Sequence, residues 1–296
     1  MRRRFIIYIT FLSITLLIVD PVTGISGARD GIELCYRSVI ASLFPFMFLI
    51  TIIAGQCSFF KLPFLQPLCE RMGIPIGCES ILVLSWLGGY PVGARCIYEN
   101  YRNGQLSKST ANRILSFCNN AGPSFIFGIL SSIFTSSIYL WLLWFTQIFS
   151  SILTGILIPK REKTEKAALS IRHTTIMQAF SSSMNAIGAI CGWVVLFRLA
   201  ISYGNKWLLH LLPTIPSVIL TGILELTNGC FSLAAVHNEN TRFIICNTLL
   251  SFGGLCVVLQ TKSVAGKLCI GQYFLGKVLQ CSITFLLSLL FVFIFF

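Results

Sequence analysis

Two neighbouring amides in an apolar run, Asn119 and Asn120 of SFCNNAGPSFIFG, are residues whose type and setting could do chemistry. With Gly122 and Pro123 they put polar groups and a broken backbone where lipid could satisfy neither, so they need partners. Those partners are either a polar solute, the functional reading, or neighbouring helices. GGYPVGAR adds flexible glycines, Tyr90, a proline able to start a half-helix, and Arg95 a few residues on. Helix N-termini attract anions. Arg95 could give a forked pair of bonds to a carboxylate, or equally snorkel to the interface as an anchor. ELTNG supplies Glu225, an acid deep in an apolar stretch, followed by Thr227 and Asn228. An intramembrane carboxylate is a functional candidate by default; proton exchange there could be coupled to solute movement, or the group could make a structural hydrogen bond.

The expected solute-binding set is therefore Asn119, Asn120, Gly122, Tyr90, Arg95, Thr227 and Asn228, with Glu225 as the proton-coupling candidate. No catalytic residue, metal or cofactor is expected. No nucleophile and base recur in a hydrolase pattern, so an enzyme is not expected. The twelve cysteines are scattered singly without a CxxC pair, which argues against zinc and against a disulfide scaffold. Glu79, His173, His210 and His237 fall near predicted interfaces, where solvation accounts for them.

The elements that must position these residues follow from composition. Of 296 residues, 55% are hydrophobic and only 11% charged, against about 25% charged in a soluble domain. Apolar runs of roughly 17 to 25 residues, each able to cross a hydrocarbon core, are expected at 5–19, 35–54, 138–158, 182–202 and 272–296. The basic N-terminus reads as an uncleaved first helix. A polar loop with Asp20, Pro21, Asp30 and Glu33 follows it. Two further crossings, 110–134 and 242–260, are broken near SFCNNAGP and LLSFGG. The stretch 75–99 is split by glycine and proline at GGYPVGAR, and 216–236 is interrupted at ELTNG (Glu225 to Gly229), leaving halves too short to span, which predicts re-entrant hairpins. The fold expected is all-α, a polytopic membrane protein of about seven transmembrane helices with two hairpins.

LSF recurs at 115–117 and 250–252, each time in a broken crossing after a hairpin. The chain accordingly divides into a first repeat (1–135), a second (136–262) and a final helix (263–296). An odd number of crossings per unit inverts the second repeat relative to the first. Charge gives an independent test: with the N-terminus cytoplasmic, the inner segments collect 17 of the 22 basic residues, Lys277 and Arg95 among them. Arg29, Arg37, Arg198, Lys206 and Arg242 fall outside. The formal charge of +12 thus reports orientation, and no nucleic-acid partner is expected. The partners expected are a small-molecule solute and the lipid bilayer, with a homo-oligomer left open.

At SLFPFMFLI, GGYPVGAR and SFCNNAGPSFIFG the sequence resembles the YlbJ-type sporulation integral membrane proteins, of the nucleoside-recognition or Gate-domain group. The likeness covers nearly the whole chain and is looser around ELTNG. It implies a distant similarity to concentrative nucleoside transporters, with two hairpins, two broken helices and an elevator-like cycle. It also implies movement of dipicolinic acid, a small aromatic dicarboxylate, from mother cell toward forespore across the outer forespore membrane. A nucleoside transporter and a non-transporting scaffold for spore assembly remain the alternatives; the scaffold has no obvious need for two broken crossings.

Overall fold

The computed structural model describes residues 2–54, 62–160 and 175–295, and these fold into helices with no strand among them. His173 and the 160–172 loop beyond Lys160 lie outside the described residues. Helix α1 spans Arg2–Val19. Helix α2 runs from Pro21–Leu34 through a π-helical stretch, Cys35–Ile40, into Ala41–Ala54. Two short helices, α3 (Glu79–Gly88) and α4 (Val92–Arg102), fold back on each other across Gly89–Pro91. Helix α5 (Lys108–Leu115) then breaks, and the chain resumes as a π-helical turn, Ser124–Ile129, before α6 (Ser137–Leu157).

The second half brings α7 (Ile176–Trp207) and a second hairpin of α8 (Thr214–Leu224) and α9 (Leu226–Ser232). A helix broken at Gly253 follows as α10 (Glu239–Phe252) and α11 (Gly254–Val264), and α12 (Ile270–Phe295) ends the described chain. Thus long helix, hairpin, broken helix, long helix occurs twice in the same order, 21–157 and 176–295. Among the described residues five helices are long and apolar enough to cross a membrane: α2, α6, α7, the α10–α11 pair and α12. At 1.5 Å per residue, the 26 residues of α12 reach about 39 Å, enough for a bilayer core about 30 Å thick. The chain is a polytopic α-helical membrane protein.

Local chemistry sets the helix ends. Ser107, Asn238 and Thr175 each accept a bond from a backbone N–H in the first turn, and Thr175 with Gln178 closes a reciprocal capping box. Asp20 caps α2 in the same way ahead of Pro21, and this overturns the expected polar loop after α1. Residues 20–33 are helical because their polar groups have partners on α7: Asp30 pairs with Arg198 at 3.1 Å and Asp20 with Lys206 at 2.5 Å. Gly24, Gly27 and Gly31 form the contact stripe. A Cβ at Gly31 would stand 2.9 Å from the Val195 backbone, so only glycine lets α2 and α7 approach this closely.

Polar residues turn inward on the membrane helices. On α12, Tyr273, Lys277, Gln280, Thr284 and Ser288 share one buried face at helical spacing, whereas Leu275, Leu286 and Phe293 are exposed. Helix α6 does the same with Gln147, Ser150, Ser151 and Thr154 inside and Trp141, Phe145 and Phe149 outside. Lipid solvates the apolar faces, and the inward polar groups satisfy one another. Gln147 Nε2 donates to Asn247 Oδ1 and Ser251 Oγ, both at 2.9 Å. Asn247 Nδ2 donates to Ser288 Oγ at 2.8 Å, and Ser251 Oγ to Thr284 Oγ1 at 2.6 Å.

Candidate functional site

The two hairpin tips and the two helix breaks meet. At the first tip Gly89 has φ +72°, a left-handed conformation that favours glycine, and its backbone lies directly on Gly122 in the first break. A Cβ on Gly122 would come within 2.8 Å of the Gly89 nitrogen. The second half repeats this contact. Gly254, φ +78°, sits in the second break, and a Cβ there would lie 2.8 Å from the Gly222 carbonyl oxygen of the second hairpin.

Between the tips and breaks lies a cavity of about 40 Å³. Its walls come from six places: Ser42 on α2, Gly88–Tyr90 at the first tip, Gly122, Ser124 and Phe125 at the first break, Ile190 and Val194 on α7, Glu225–Thr227 at the second tip, and Val257 and Gln260 on α11. This volume holds a water molecule or two, well below the roughly 300–1,000 Å³ of ordinary small-molecule sites. The tips and breaks are therefore packed around a space too small for an ordinary small molecule.

The cavity gathers Tyr90, Gly122, Glu225 and Thr227 from the expected set. Tyr90 is buried against Phe125, ring centroids 6.4 Å apart, and its hydroxyl has no hydrogen-bond partner among the described residues. Glu225 caps the second half-helix. Its Oε1 accepts from Thr227 N at 3.1 Å, and its Oε2 accepts from Asn228 N and Nδ2, each at 2.7 Å. Asn228 Oδ1 accepts from Arg198 Nη1 at 2.6 Å, so a polar chain runs from Asp30 on α2 through Arg198 on α7 to the second tip.

The other expected residues are held by protein. Asn119 Oδ1 accepts from Ala94 N at 3.3 Å, and its Nδ2 donates to Thr261 Oγ1 at 2.9 Å and Tyr273 OH at 3.1 Å. Asn120 Nδ2 donates to Phe117 O at 2.8 Å. Both amides are fully buried, and their partners are protein groups. Arg95 bonds Ser182 of α7 and pairs with Glu99 at 3.3 Å. It bridges the first hairpin to α7, and its side chain is only 12% exposed, not extended to an interface.

Two expectations are corrected. Lys277, counted among the cytoplasmic charges, is wholly buried, and its Nζ donates to Asn119 O and Asn120 Oδ1 at 3.1 Å and Gln280 Oε1 at 2.8 Å. Gln280 and Tyr273, three residues after it and four before, put polar groups on the same helix face, a spacing visible in the sequence that does not by itself say whether that face meets water or protein. Glu79 is likewise buried, at 3% exposure, so solvation does not account for it. Its Oε1 accepts from Gly77 N at 2.9 Å, and Oε2 has no partner among the described residues.

Two broken helices with their breaks buried against hairpin tips define a polytopic membrane protein whose irregular backbone is packed inside the protein. In sequence the chain is similar to Sporulation integral membrane protein YlbJ of Bacillus subtilis (strain 168), with 23% identity over 321 aligned residues, covering 91% of this chain and 78% of the relative. That end-to-end similarity supports a YlbJ-type protein. No protein-family model matches the chain, and no solved structure matches it.

Proposed function

We propose that this chain is a membrane transporter of a small polar or anionic solute, acting in spore formation, and that it catalyses no covalent change. The observation that carries the reading is the convergence on one cavity of both hairpin tips, the first break and α11 just beyond the second break. Freed backbone and half-helix ends at such a place can receive a polar solute, and a scaffold has no need of them. The similarity to a sporulation membrane protein supports the setting. Dipicolinate is the solute proposed, moving from mother cell toward forespore across the outer forespore membrane. Its carboxylates suit the Tyr90 hydroxyl, which lies beside the cavity without a partner among the described residues.

Purified protein in liposomes, offered labelled dipicolinate and labelled nucleosides, tests this. Saturable dipicolinate uptake above protein-free vesicles is expected. Nucleoside uptake without dipicolinate uptake replaces the solute, and no uptake of either returns the chain to a scaffold role.

A further inference from the structure

The first break holds a buried amine, Lys277 Nζ, that the solute site does not use. An unbroken helix would bond the Asn119 carbonyl to the N–H of residue 123, but that residue is Pro123, which has none. The freed carbonyl is taken by Lys277 Nζ, reaching across from α12. Asn120 Oδ1 and Gln280 Oε1 complete a set of three oxygens at 2.8 to 3.1 Å. Three acceptors match the three N–H bonds of an ammonium group. They are also a donor set of the kind that coordinates a small monovalent cation in transporters: an unwound-helix carbonyl with side-chain amide oxygens.

No carboxylate joins them. The ion pairs among the described residues are Arg37–Glu33, Arg95–Glu99, Arg198–Asp30 and Lys206–Asp20. The titratable neighbours of Lys277 are Cys118 in the first break and Cys281 on its own helix, with Tyr273 one turn away bonded to Asn119. From α5, Arg113 turns to the carbonyls of Met72, Gly155, Ile158 and Pro159. From α10, Arg242 turns to Val236 and Ile133, and Glu239 to Thr135. On α6, Tyr139 bonds Asn240, and on α11 Cys256 bonds Gln260. When Nζ is protonated, its charge is answered among the described residues by the three oxygens, and any movement of the break that withdraws Asn119 O or Asn120 Oδ1 leaves it uncompensated.

We propose that Lys277 is a tethered cation filling a monovalent-cation site at the first break, and that its proton is the coupling ion of transport. The inference rests on the transport reading for its second half. When the break closes, the amine takes a proton from one side and the ammonium is bonded by the three oxygens. When the break opens, the proton leaves Nζ to the other side and the neutral amine remains. Sodium is then not required.

Two measurements on purified protein test it. In liposomes, dipicolinate accumulation driven by an imposed pH gradient is expected to reach about tenfold per pH unit for one proton per cycle. Replacing sodium with potassium is expected to change nothing. In Lys277→Met, which keeps bulk without charge, gradient-free exchange is expected to persist while the pH-driven accumulation falls to onefold. A purely structural cap predicts the opposite: reduced protein yield with the pH response intact, which overturns the coupling. A sodium-driven wild type overturns it as well. The second measurement does not depend on transport. Lys277→Ala leaves the oxygens empty, and ammonium or methylammonium is expected to raise its melting temperature by roughly 4 °C or more, with no effect on wild type. If dipicolinate does not move at all, the functional reading and the coupling fall together, and amine rescue still decides the cation site. If Lys277→Ala does not fold, the pH response of Lys277→Met decides the proposal.

Discussion

At the first hairpin tip a single hydroxyl separates binding from folding. Tyr90 OH is buried beside the cavity without a hydrogen-bond partner among the described residues. Removing an unpaired buried hydroxyl is nearly neutral for stability, whereas losing a bond to a charged solute costs about 1.5–3 kcal/mol, tenfold or more in affinity. Tyr90→Phe is therefore expected to weaken dipicolinate binding at least about tenfold and leave the melting temperature unchanged or slightly higher. Calorimetric titration and thermal unfolding of the same preparation read both, and unchanged affinity removes Tyr90 from the site. Asn119 behaves differently. The sequence reading made it a solute contact, but Ala94, Thr261 and Tyr273 already use its amide.

The hairpin tips meet the helix breaks through close backbone contact as well as side-chain packing. Gly122 lies on Gly89, and a methyl group there meets backbone at 2.8 to 2.9 Å with no flexible side chain to yield. Gly122→Ala is expected to destabilise the protein by about 1–3 kcal/mol, the usual cost of overpacking. Gly128→Ala, where nothing lies within 4 Å, is its control. Thermal unfolding of both variants is the check, and equal melting temperatures remove the tip–break contact as a constraint. The sequence reading placed α6 in the second repeat. In the structure α6 and α12, the closing helices of the two fourfold series, pack together through their inward polar faces.

Across the whole molecule the prediction is topological. Lys160 follows α6 and His237 precedes α10; between them α7 crosses once and the second hairpin returns to its own side. Basic residues collect on the Lys160 side, which positive-inside bias makes cytoplasmic. In a background without native cysteines, Lys160→Cys is expected to react with an impermeant thiol reagent only after the membrane is opened, and His237→Cys in intact cells. Labelling of both from one side removes the odd crossing count, and with it the inversion of the two halves.

The sequence alone determined what depends on solvent and on local backbone chemistry. A chain with 11% charged residues must meet lipid. Pro123 must free the Asn119 carbonyl, and the paired Gly253 and Gly254 must break their helix, because these limits act within a turn of the chain. It did not determine which face of each helix is inward or who answers each freed group. Lys277 lies 157 positions from Asn120, and a lysine near a helix end looks the same in sequence whether it faces water or a buried carbonyl. The same holds for Asp20 and Asp30, which suggested a loop until α7 supplied Lys206 and Arg198. Tertiary structure decided these pairings, because only packing puts a charge next to the oxygens or the opposite charge that make its burial tolerable.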